Sequence, residues 1–364
     1  FGSSADSLKA PPLPPSGAAS PAGRAGASGS RRSLAMSKWL EEMIEPGLRV
    51  QYKLDKILGS CTSKFQTVDL VDIEPFGRSL VIDGLMQSCR ADEFVYHECL
   101  VHPALLMHPG PVKNVYIGGG GEGSTAREVL RHKSVEKCVM VDIDADVVRF
   151  CKEHLEENHA AFADPRLELV IDDAKAWLEN SPMKFDVIIM DLDDPLEGGP
   201  CYQLYTSEFY TFLKSRLNPG GIVVTQSGQS GIKQHHLVFS PINRTLRSVF
   251  GDSVHPYTQA VYSFMDEWGW NLALTEPGAK APSAWSVEEV DKRIAERVTG
   301  ELQFLDGVSW QGIWALSKRH RRTLAGEQTI MSVDNKTHCF MHNAGTATIA
   351  ETKDEEGPAK KAKA

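Results

Sequence analysis

Short apolar runs alternate with helix-like stretches from residue 113 onward, and this pattern constrains the fold more than any other feature of the chain. The runs predicted to be buried strands are residues 115–118, 138–141, 167–171, 187–190 and 222–225. Helical stretches are predicted to begin after Thr125, Asp144, Asp173, Tyr205 and His236. Such alternation predicts a parallel, doubly wound α/β sheet with right-handed crossovers.

A different pattern precedes this sheet. Residues 50–57, 65–73 and 79–82 are short alternating runs broken by turn residues, which predicts a small antiparallel sheet. We therefore expect the chain to divide into four parts. These are a disordered leader (1–36), a small N-terminal β domain (37–90), a large α/β domain (91–350) and a disordered tail (351–364).

The charge balance narrows the class of partner. Residues 1–36 carry +3 and residues 353–364 carry +1 of the net charge of −9, which leaves −13 for residues 37–352. A strongly acidic fold disfavours nucleic acid and attracts small polycations. No apolar run approaches the roughly 20 residues that span a bilayer, so we expect no membrane partner.

Two further features bear on location. The chain has seven cysteines without a CxxC pair or regular spacing, which indicates reduced thiols and a cytoplasmic protein. The leader contains Arg and Ser and is poor in acids, a composition that also fits a plastid or mitochondrial transit peptide.

Carboxylates crowd the carboxyl end of the fourth predicted strand. Asp191, Asp193 and Asp194 follow the apolar residues 185–190, at the edge where open α/β sheets bind ligands. Crowded acids favour a cationic ligand. Repulsion from Asp193 and Asp194 is expected to raise the pKa of Asp191, which makes Asp191 a candidate general base.

A glycine-rich turn follows the first predicted strand. Gly119 and Gly121 permit a tight turn and close approach of a ligand to the backbone, and Thr125 with Glu128 resembles a capping box. Asp142 ends the next strand 23 residues after Gly119, where a carboxylate can hold both ribose hydroxyls. The pattern predicts a nucleoside ligand and leaves NAD and S-adenosyl compounds equally open.

Glu122 lies inside this turn and separates those ligands. A carboxylate repels a nearby anion by roughly several kcal/mol at low effective dielectric, so a pyrophosphate and the carboxylate of S-adenosylmethionine are both disfavoured. Decarboxylated S-adenosylmethionine presents only a primary ammonium, which Glu122 would bind. The alternative is a glutamate turned outward that favours the helix dipole.

A near-match to a zinc motif is set aside. His97 and His102 flank Glu98 but lie five residues apart, about 140° round a helix, whereas the zinc motif needs a spacing of four. We therefore expect no metal site.

The chain resembles the polyamine aminopropyltransferases, the family of spermidine and spermine synthases, and within it is most similar to the plant-type thermospermine synthases. The resemblance extends from Trp39 to His342. Its specific motifs are residues 80–87, 92–98, 118–128 and 191–205.

Two departures from the spermidine synthases resemble the thermospermine type: Glu122 replaces the Asp that many of them have, and residues 197–200 lengthen the acidic motif. The resemblance also implies that residues 91–350 form a Rossmann-like, class I methyltransferase-like catalytic domain.

The resemblance implies a role for individual residues. Asp191 would be the catalytic base and Tyr96 would position the attacking amine. The residues that would hold decarboxylated S-adenosylmethionine are Gln87, His97, Gly119, Gly121, Glu122, Asp142, Asp173 and the backbone amide of Ala174. The acceptor would contact Tyr96, Asp191, Asp194 and Tyr262, and we add Asp266, whose carboxylate could bind a distal amine.

The implied reaction moves the aminopropyl group of decarboxylated S-adenosylmethionine, as co-substrate, to spermidine and gives thermospermine and methylthioadenosine. No cofactor or metal is required. Spermine or spermidine as product is an alternative, because the sequence does not fix which amine attacks. A polyamine N-methyltransferase and a non-catalytic relative are more remote. The resemblance further implies a homodimer or homotetramer.

Overall fold

Five antiparallel strands form the N-terminal sheet of the computed structural model, which describes residues 38–45, 47–195, 201–334, 340–342 and 347–349. The strands follow one another in the order β1-β2-β3-β4-β5. They are β1 (Lys38–Glu45), β2 (Leu48–Thr62), β3 (Thr67–Glu74), β4 (Gly77–Ile82) and β5 (Leu85–Cys89). The predicted antiparallel sheet is confirmed, and β1 and β5 extend it beyond the three predicted runs.

A seven-stranded sheet follows, in the order β11-β12-β10-β9-β6-β7-β8. Strands β6 to β10 are parallel, and β12 is antiparallel to both of its neighbours. The strands are β6 (Asn114–Gly119), β7 (Lys137–Asp142), β8 (Leu167–Ile171), β9 (Phe185–Asp191), β10 (Leu217–Gln229), β11 (Val254–Val261) and β12 (Asp266–Leu274). All five predicted strands are present, so the α/β class is confirmed.

Helices cover both faces of this sheet. They are α1 (Glu93–Met107), α2 (Ser124–Leu130), α3 (Ala145–His154), α4 (His159–Phe162), α5 (Ala174–Asn180), α6 (Ser207–Ser215), α7 (Phe239–Phe250), α8 (Val287–Arg297), α9 (Gly307–Ile313) and α10 (Lys318–Gly326). A short hairpin of β13 (Phe340–His342) and β14 (Ala347–Ile349) follows. None of the described helices is both long and apolar enough to span a membrane.

Alternate side chains of each central strand enter two separate cores. In β9, Val187 and Ile189 pack with α1, α2 and α8, whereas Ile188 and Met190 pack with α5, α6 and α7. A strand buried on both faces is apolar throughout, which is why these runs were visible in the sequence. The result is a doubly wound, Rossmann-like sheet.

Local sequence explains where several helices begin. Asp144 and Asp173 cap α3 and α5 by accepting backbone amides, and Ser286 forms a capping box with Glu289 at the start of α8. The capping box expected at Thr125 is wrong. Helix α2 begins after Gly123, which has φ of 94° and offers no side chain, so the Thr125 hydroxyl is used elsewhere.

The order of strands locates the ligand-binding edge. The chain proceeds from β6 outward through β7 and β8, then returns to β9 on the other side of β6. Ligands bind where such a sheet reverses direction, outside the carboxyl ends of its strands. Here that point lies between Gly119 of β6 and Asp191 of β9, which are paired. The predicted leader (1–36) and tail (351–364) lie outside the described residues.

Candidate active site

Asp191 ends β9 at this edge of the sheet and receives one hydroxyl on each carboxylate oxygen. The Tyr96 hydroxyl of α1 donates to Oδ1 at 2.8 Å, and the Thr125 hydroxyl of α2 donates to Oδ2 at 2.5 Å. Burial and the nearby Asp191 charge raise the pKa of Tyr96 well above its ordinary value, so Tyr96 stays protonated and donates. Two helices and one strand therefore hold this carboxylate in a single orientation.

Asp191 can approach the glycine turn closely because position 119 has no side chain. A β-carbon on Gly119 would overlap the carbonyl oxygen of Asp191, and the φ of Gly119 is +82°. Both facts require glycine here. The carbonyl of Asp191 also accepts the amide of Gly120 at 3.1 Å.

Two further carboxylates continue the acidic edge. Burial raises the pKa of Asp194 to about 6. Asp193 retains an exposed surface, but the protein displaces enough water from its carboxyl group, with repulsion from Asp194 in addition, to raise its pKa to about 6. The edge is therefore partly anionic near neutral pH and is suited to a polyamine, which carries several positive charges.

Gln226 of β10 holds the acidic edge in place and was missed from the sequence. Its amide nitrogen donates to the carbonyl of Leu192 at 2.6 Å and to Asp194 Oδ1 at 3.2 Å. Its amide oxygen accepts from the indole of Trp268 at 3.2 Å. Gln226 is buried, so the loss of any of these hydrogen bonds would leave a buried polar group unpaired and destabilise the fold. From the sequence alone, a glutamine that holds a site in this way cannot be distinguished from a glutamine that only packs inside a strand.

Asp142 lies at the end of β7 with both carboxylate oxygens engaged. Oδ2 accepts the amide of Gly121 at 2.9 Å, and Oδ1 accepts the amide of Asp144 at 2.8 Å. A β-carbon on Gly121 would come within 2.7 Å of Oδ2, so the turn needs glycine to reach this carboxylate. Burial raises the pKa of Asp142. The expected neighbourhood of glycine turn and acid is present.

His97 lies beside Glu122, which is part of the glycine turn. The His97 ring donates from Nδ1 to Glu93 Oε2 at 2.8 Å. Burial favours the neutral ring, but the hydrogen bond to Glu93 and the charge of Glu122 outweigh it and raise the pKa of His97 to about 9. Burial also raises the pKa of Glu122. The outward orientation considered for Glu122 is therefore wrong, because its carboxylate points into the protein.

Hydrogen bonds connect these two residues through the interior. Arg127 donates to both oxygens of Glu93 at 2.8 and 2.9 Å and to Asn158 Oδ1 at 2.9 Å. Asn158 donates to the carbonyl of Glu122 at 3.0 Å and to Ser124 Oγ at 2.9 Å. The Ser124 hydroxyl in turn donates to Glu122 Oε1 at 2.5 Å. The orientation of Glu122 is thus set by packed polar groups.

The predicted adenine-binding residues lie at the start of α5. Asp173 caps that helix by accepting the amide of Ala176 at 2.8 Å. Ala174 is buried, and its carbonyl accepts the Tyr116 hydroxyl at 2.7 Å. One carboxylate oxygen of Asp173 therefore caps α5. The role of Asp173 in binding adenine remains a prediction.

Three predicted residues make no described hydrogen bond to Asp191, Asp142 or Glu122. Gln87 is half-buried in β5. Tyr262 is 73% exposed, and it is Phe264 whose ring contacts Tyr96, at 5.8 Å between centroids. Asp266 is half-buried at the start of β12, and burial raises its pKa. The channel roles of Tyr262 and Asp266 remain predictions.

Among the described residues, one group of metal-ligating type occurs, in which the ligand atoms of Glu93, His97 and Glu122 lie within 4.8 Å of one another. The Arg127 guanidinium already pairs with Glu93, donating to both of its oxygens from one nitrogen, and a protonated His97 offers no lone pair from the ring to a ligand. Of these three side chains, the Glu122 carboxylate is therefore the one left to bind a cation. His102, the second histidine of the near-zinc motif, instead contacts Glu128 and His132.

Comparison with known proteins identifies the family. A model described as "Spermine/spermidine synthase domain" matches residues 93–281, and one described as "Spermidine synthase tetramerisation domain" matches residues 38–89. The chain belongs to the spermine/spermidine synthase family. The resemblance inferred from the sequence is confirmed, and the protein is a member of an aminopropyltransferase family.

Individual members of the family give the same result. The chain is 49% identical over 310 residues to "Thermospermine synthase ACAULIS5" of Arabidopsis thaliana, covering 85% of this chain and 89% of that protein. It is 40% identical over 315 residues to a "Polyamine aminopropyltransferase" of Aeropyrum pernix, covering 85% and 98%. A crystal structure of spermidine synthase in complex with the transition-state analogue AdoDATO superposes with a TM-score of 0.71 at 27% identity, covering 82% and 97%.

Within the family site, the residues found only from the structure are Glu93, Thr125, Arg127, Asn158 and Gln226. Four of them hold another residue in place, and Thr125 touches the carboxylate of Asp191 directly. Thr125 and Glu93 fall inside motifs that carried the resemblance, which was the available signal. Arg127 lies in the same stretch, but its partner on α1 is 34 residues away in sequence.

Proposed function

We propose that this protein transfers the aminopropyl group of decarboxylated S-adenosylmethionine to spermidine and releases thermospermine and methylthioadenosine. The observation that carries the proposal is the Asp191 carboxylate, which two hydroxyls orient at the switch point of the sheet. No nucleophilic side chain is needed, since the acceptor amine is itself the nucleophile.

The acceptor amine must lose a proton before its nitrogen can attack. With an ordinary pKa near 10.4, about one primary amine in a few thousand is neutral at pH 7, which costs roughly 4–5 kcal/mol. Asp191 takes up this proton. The amine nitrogen then forms a bond to the propyl carbon next to the sulfonium, the carbon–sulfur bond breaks, and its electron pair leaves with sulfur as methylthioadenosine. Alignment of the reacting atoms supplies much of the rate.

The co-substrate is proposed to lie along the carboxyl ends of β6, β7 and β9. Asp142 would bind the ribose hydroxyls, and Asp173 with the Ala174 amide would bind adenine. Glu122 would bind the ammonium of the aminopropyl arm, with Gln87 and His97 beside it. Glu93, and not Glu122, accepts the hydrogen bond from the His97 ring, so the Glu122 carboxylate can still accept from the ligand.

The acceptor is proposed to lie along Asp191, Asp194 and Asp266, with Tyr96 at the reacting amine. Identity of 49% to a thermospermine synthase supports spermidine as acceptor and thermospermine as product. Spermine would result if the other primary amine of spermidine attacked, and spermidine would result from putrescine. An N-methyltransferase is disfavoured, because the half-buried Glu122 carboxylate would face the carboxylate of S-adenosylmethionine.

Assembly and location are part of the same proposal. The match of β1 to β5 to a spermidine synthase tetramerisation domain supports a homo-oligomer, either a dimer or a tetramer. The six described cysteines are free thiols, which supports a reducing compartment such as the cytoplasm.

The test is a product analysis. The purified protein is incubated with decarboxylated S-adenosylmethionine and either spermidine or putrescine, and the products are separated by a chromatographic method that resolves thermospermine from its isomer spermine. Formation of thermospermine with one equivalent of methylthioadenosine supports the proposal. Spermine or spermidine as the main product would correct the acceptor assignment, and transfer of the methyl group in place of the aminopropyl group would reject the reaction class.

A further inference from the structure

The loop of residues 230–238 connects the two ends of the proposed acceptor channel. It follows β10 and precedes α7. Just before it, a β-carbon on Gly228 would come within 2.9 Å of Asp194 Oδ1 and 3.0 Å of Val238. Within it, a β-carbon on Gly231 would overlap the Asp266 carboxylate. The loop therefore lies against the Asp266 carboxylate, and the glycine just before it lies against Asp194; both acids are proposed to bind the acceptor's amines.

Helix α10 holds the loop from outside. The Nε2 of His320 donates to the carbonyl of Ser230 at 2.7 Å, and the ring is 3% exposed. Three residues later, the Thr323 hydroxyl lies 2.9 Å from Nε2 of His235. The Nδ1 of His235 in turn lies 3.0 Å from the carbonyl of Gly231. Two side chains of one helix thus hold Ser230 directly and Gly231 through His235, and the Asp266 carboxylate lies against Gly231.

The proton positions in this contact are determined by burial and geometry. Burial lowers the pKa of His235, so its ring is neutral. A neutral ring that donates from Nδ1 to Gly231 must accept at Nε2. The Thr323 hydroxyl is therefore the donor to His235, and a side chain at position 323 without a hydroxyl leaves a buried acceptor unpaired.

The helix is itself anchored, so it can serve as a rigid support. Beyond its last turn, Glu327 accepts the Ser240 hydroxyl of α7 at 2.7 Å, and the His320 ring lies 4.8 Å from the His235 ring. Helix α10 also lies beyond residue 281, where the match to the family's catalytic model ends.

We infer that helix α10 sets the position of the acceptor's distal ammonium by holding the 230–238 loop, and through Gly231 the Asp266 carboxylate, in one place. Thr323 and His320 are positioning residues, since neither borders Asp191. The inference rests on the proposed function, because it assigns a role in binding a long polyamine. On this inference, helix α10 affects the affinity for the acceptor and leaves the affinity for the co-substrate unchanged.

The test compares three substitutions in the full-length protein, with spermidine as acceptor. Thr323→Val removes the hydroxyl and keeps the shape, and Gly231→Ala pushes the Asp266 carboxylate aside without touching α10. Both are expected to raise KM for spermidine about 5- to 20-fold and to leave KM for decarboxylated S-adenosylmethionine within about twofold. Thr323→Ser, which keeps the hydroxyl, should restore the wild-type KM.

Arg322→Ala is the matched control, because Arg322 is exposed on the same helix and makes no described hydrogen bond. The inference is overturned if Thr323→Val has the same KM for spermidine as this control, if Gly231→Ala alone raises it, or if KM for both substrates rises equally. Melting temperatures of the variants separate a loss of fold from a loss of acceptor binding. A wild-type protein that transfers no aminopropyl group would instead reject the proposed function.

Discussion

The Thr125 hydroxyl donates to Asp191 Oδ2, the carboxylate oxygen that Tyr96 does not contact. A carboxylate offers about four lone-pair positions, so two remain to accept the proton of an incoming amine. Because the two hydroxyls come from different helices, the carboxylate plane is fixed before a substrate arrives. Because its orientation is already fixed, the Asp191 carboxylate needs little reorganisation to reach the transition state.

Removal of the Thr125 hydroxyl should therefore slow turnover without weakening either substrate. We expect Thr125→Val to lower kcat about tenfold, because the Asp191 carboxylate can then rotate, and to change both KM values less than twofold. Thr125→Ser is the control, since it retains the donor. Steady-state kinetics measure all of these quantities. A Val variant with wild-type kcat would assign Thr125 to packing alone.

Asp191 itself should be far more sensitive. Asp191→Asn keeps the shape and the contact with Tyr96 but cannot take up a proton, so turnover should fall by at least about 100-fold. Binding of methylthioadenosine, measured by titration calorimetry, should be retained. If turnover of the Asn variant stays near the wild-type value, the base is another residue.

The sequence predicted the strands and their terminal acids well because both are local properties. A fully buried parallel strand must be apolar, and Asp142 and Asp191 end such runs. The function of Thr125 could not be predicted, because it depends on α2 meeting β9 across the fold. The same residue type at the start of a helix ordinarily indicates a cap, which is why the capping box was expected.

The direction of the predicted acceptor residue Tyr262 could not be read from the sequence. Tyr262 and Phe264 are both aromatic and close in sequence, but the left-handed conformation at Met265, with φ of 56°, shapes the turn between them and β12. The 73% exposure of Tyr262 and the contact of Phe264 with Tyr96 depend on that turn. Periodicity does not determine the direction of a side chain in such a turn.

Glu122 should discriminate between ligands with and without an amine. Glu122→Gln removes the charge and keeps the hydrogen bond from Ser124, so affinity for decarboxylated S-adenosylmethionine should fall about 10- to 100-fold. Methylthioadenosine, which lacks the amine, should bind within about threefold of wild type. Calorimetric titration of both ligands tests this directly. Equal losses would mean that Glu122 supports the turn and does not bind the amine.

Asp194 should give acceptor binding a dependence on pH. The pKa of Asp194 is about 6, so its carboxylate is charged above that pH and neutral below it. Because a charged carboxylate attracts a polyamine, kcat/KM for spermidine should fall as the pH drops through about 6. In Asp194→Asn, kcat/KM for spermidine should already be low at neutral pH. Its remaining fall with pH, due to Asp193, should occur at lower pH, because the Asp194 charge that helps to raise the pKa of Asp193 is gone.

The same substitution should stabilise the fold above pH 6. The pKa of Asp194 is higher in the folded state than the ordinary value near 3.9, so its stability contribution is fully present below about pH 4 and is lost as the pH rises through 6. Asp194→Asn avoids that loss and should raise the free energy of unfolding by about 1–2 kcal/mol at pH 8. At pH 4 the gain should vanish. Urea titrations at the two pH values measure the free energy of unfolding. An equal effect of the substitution at both would show that folding does not raise the pKa of Asp194.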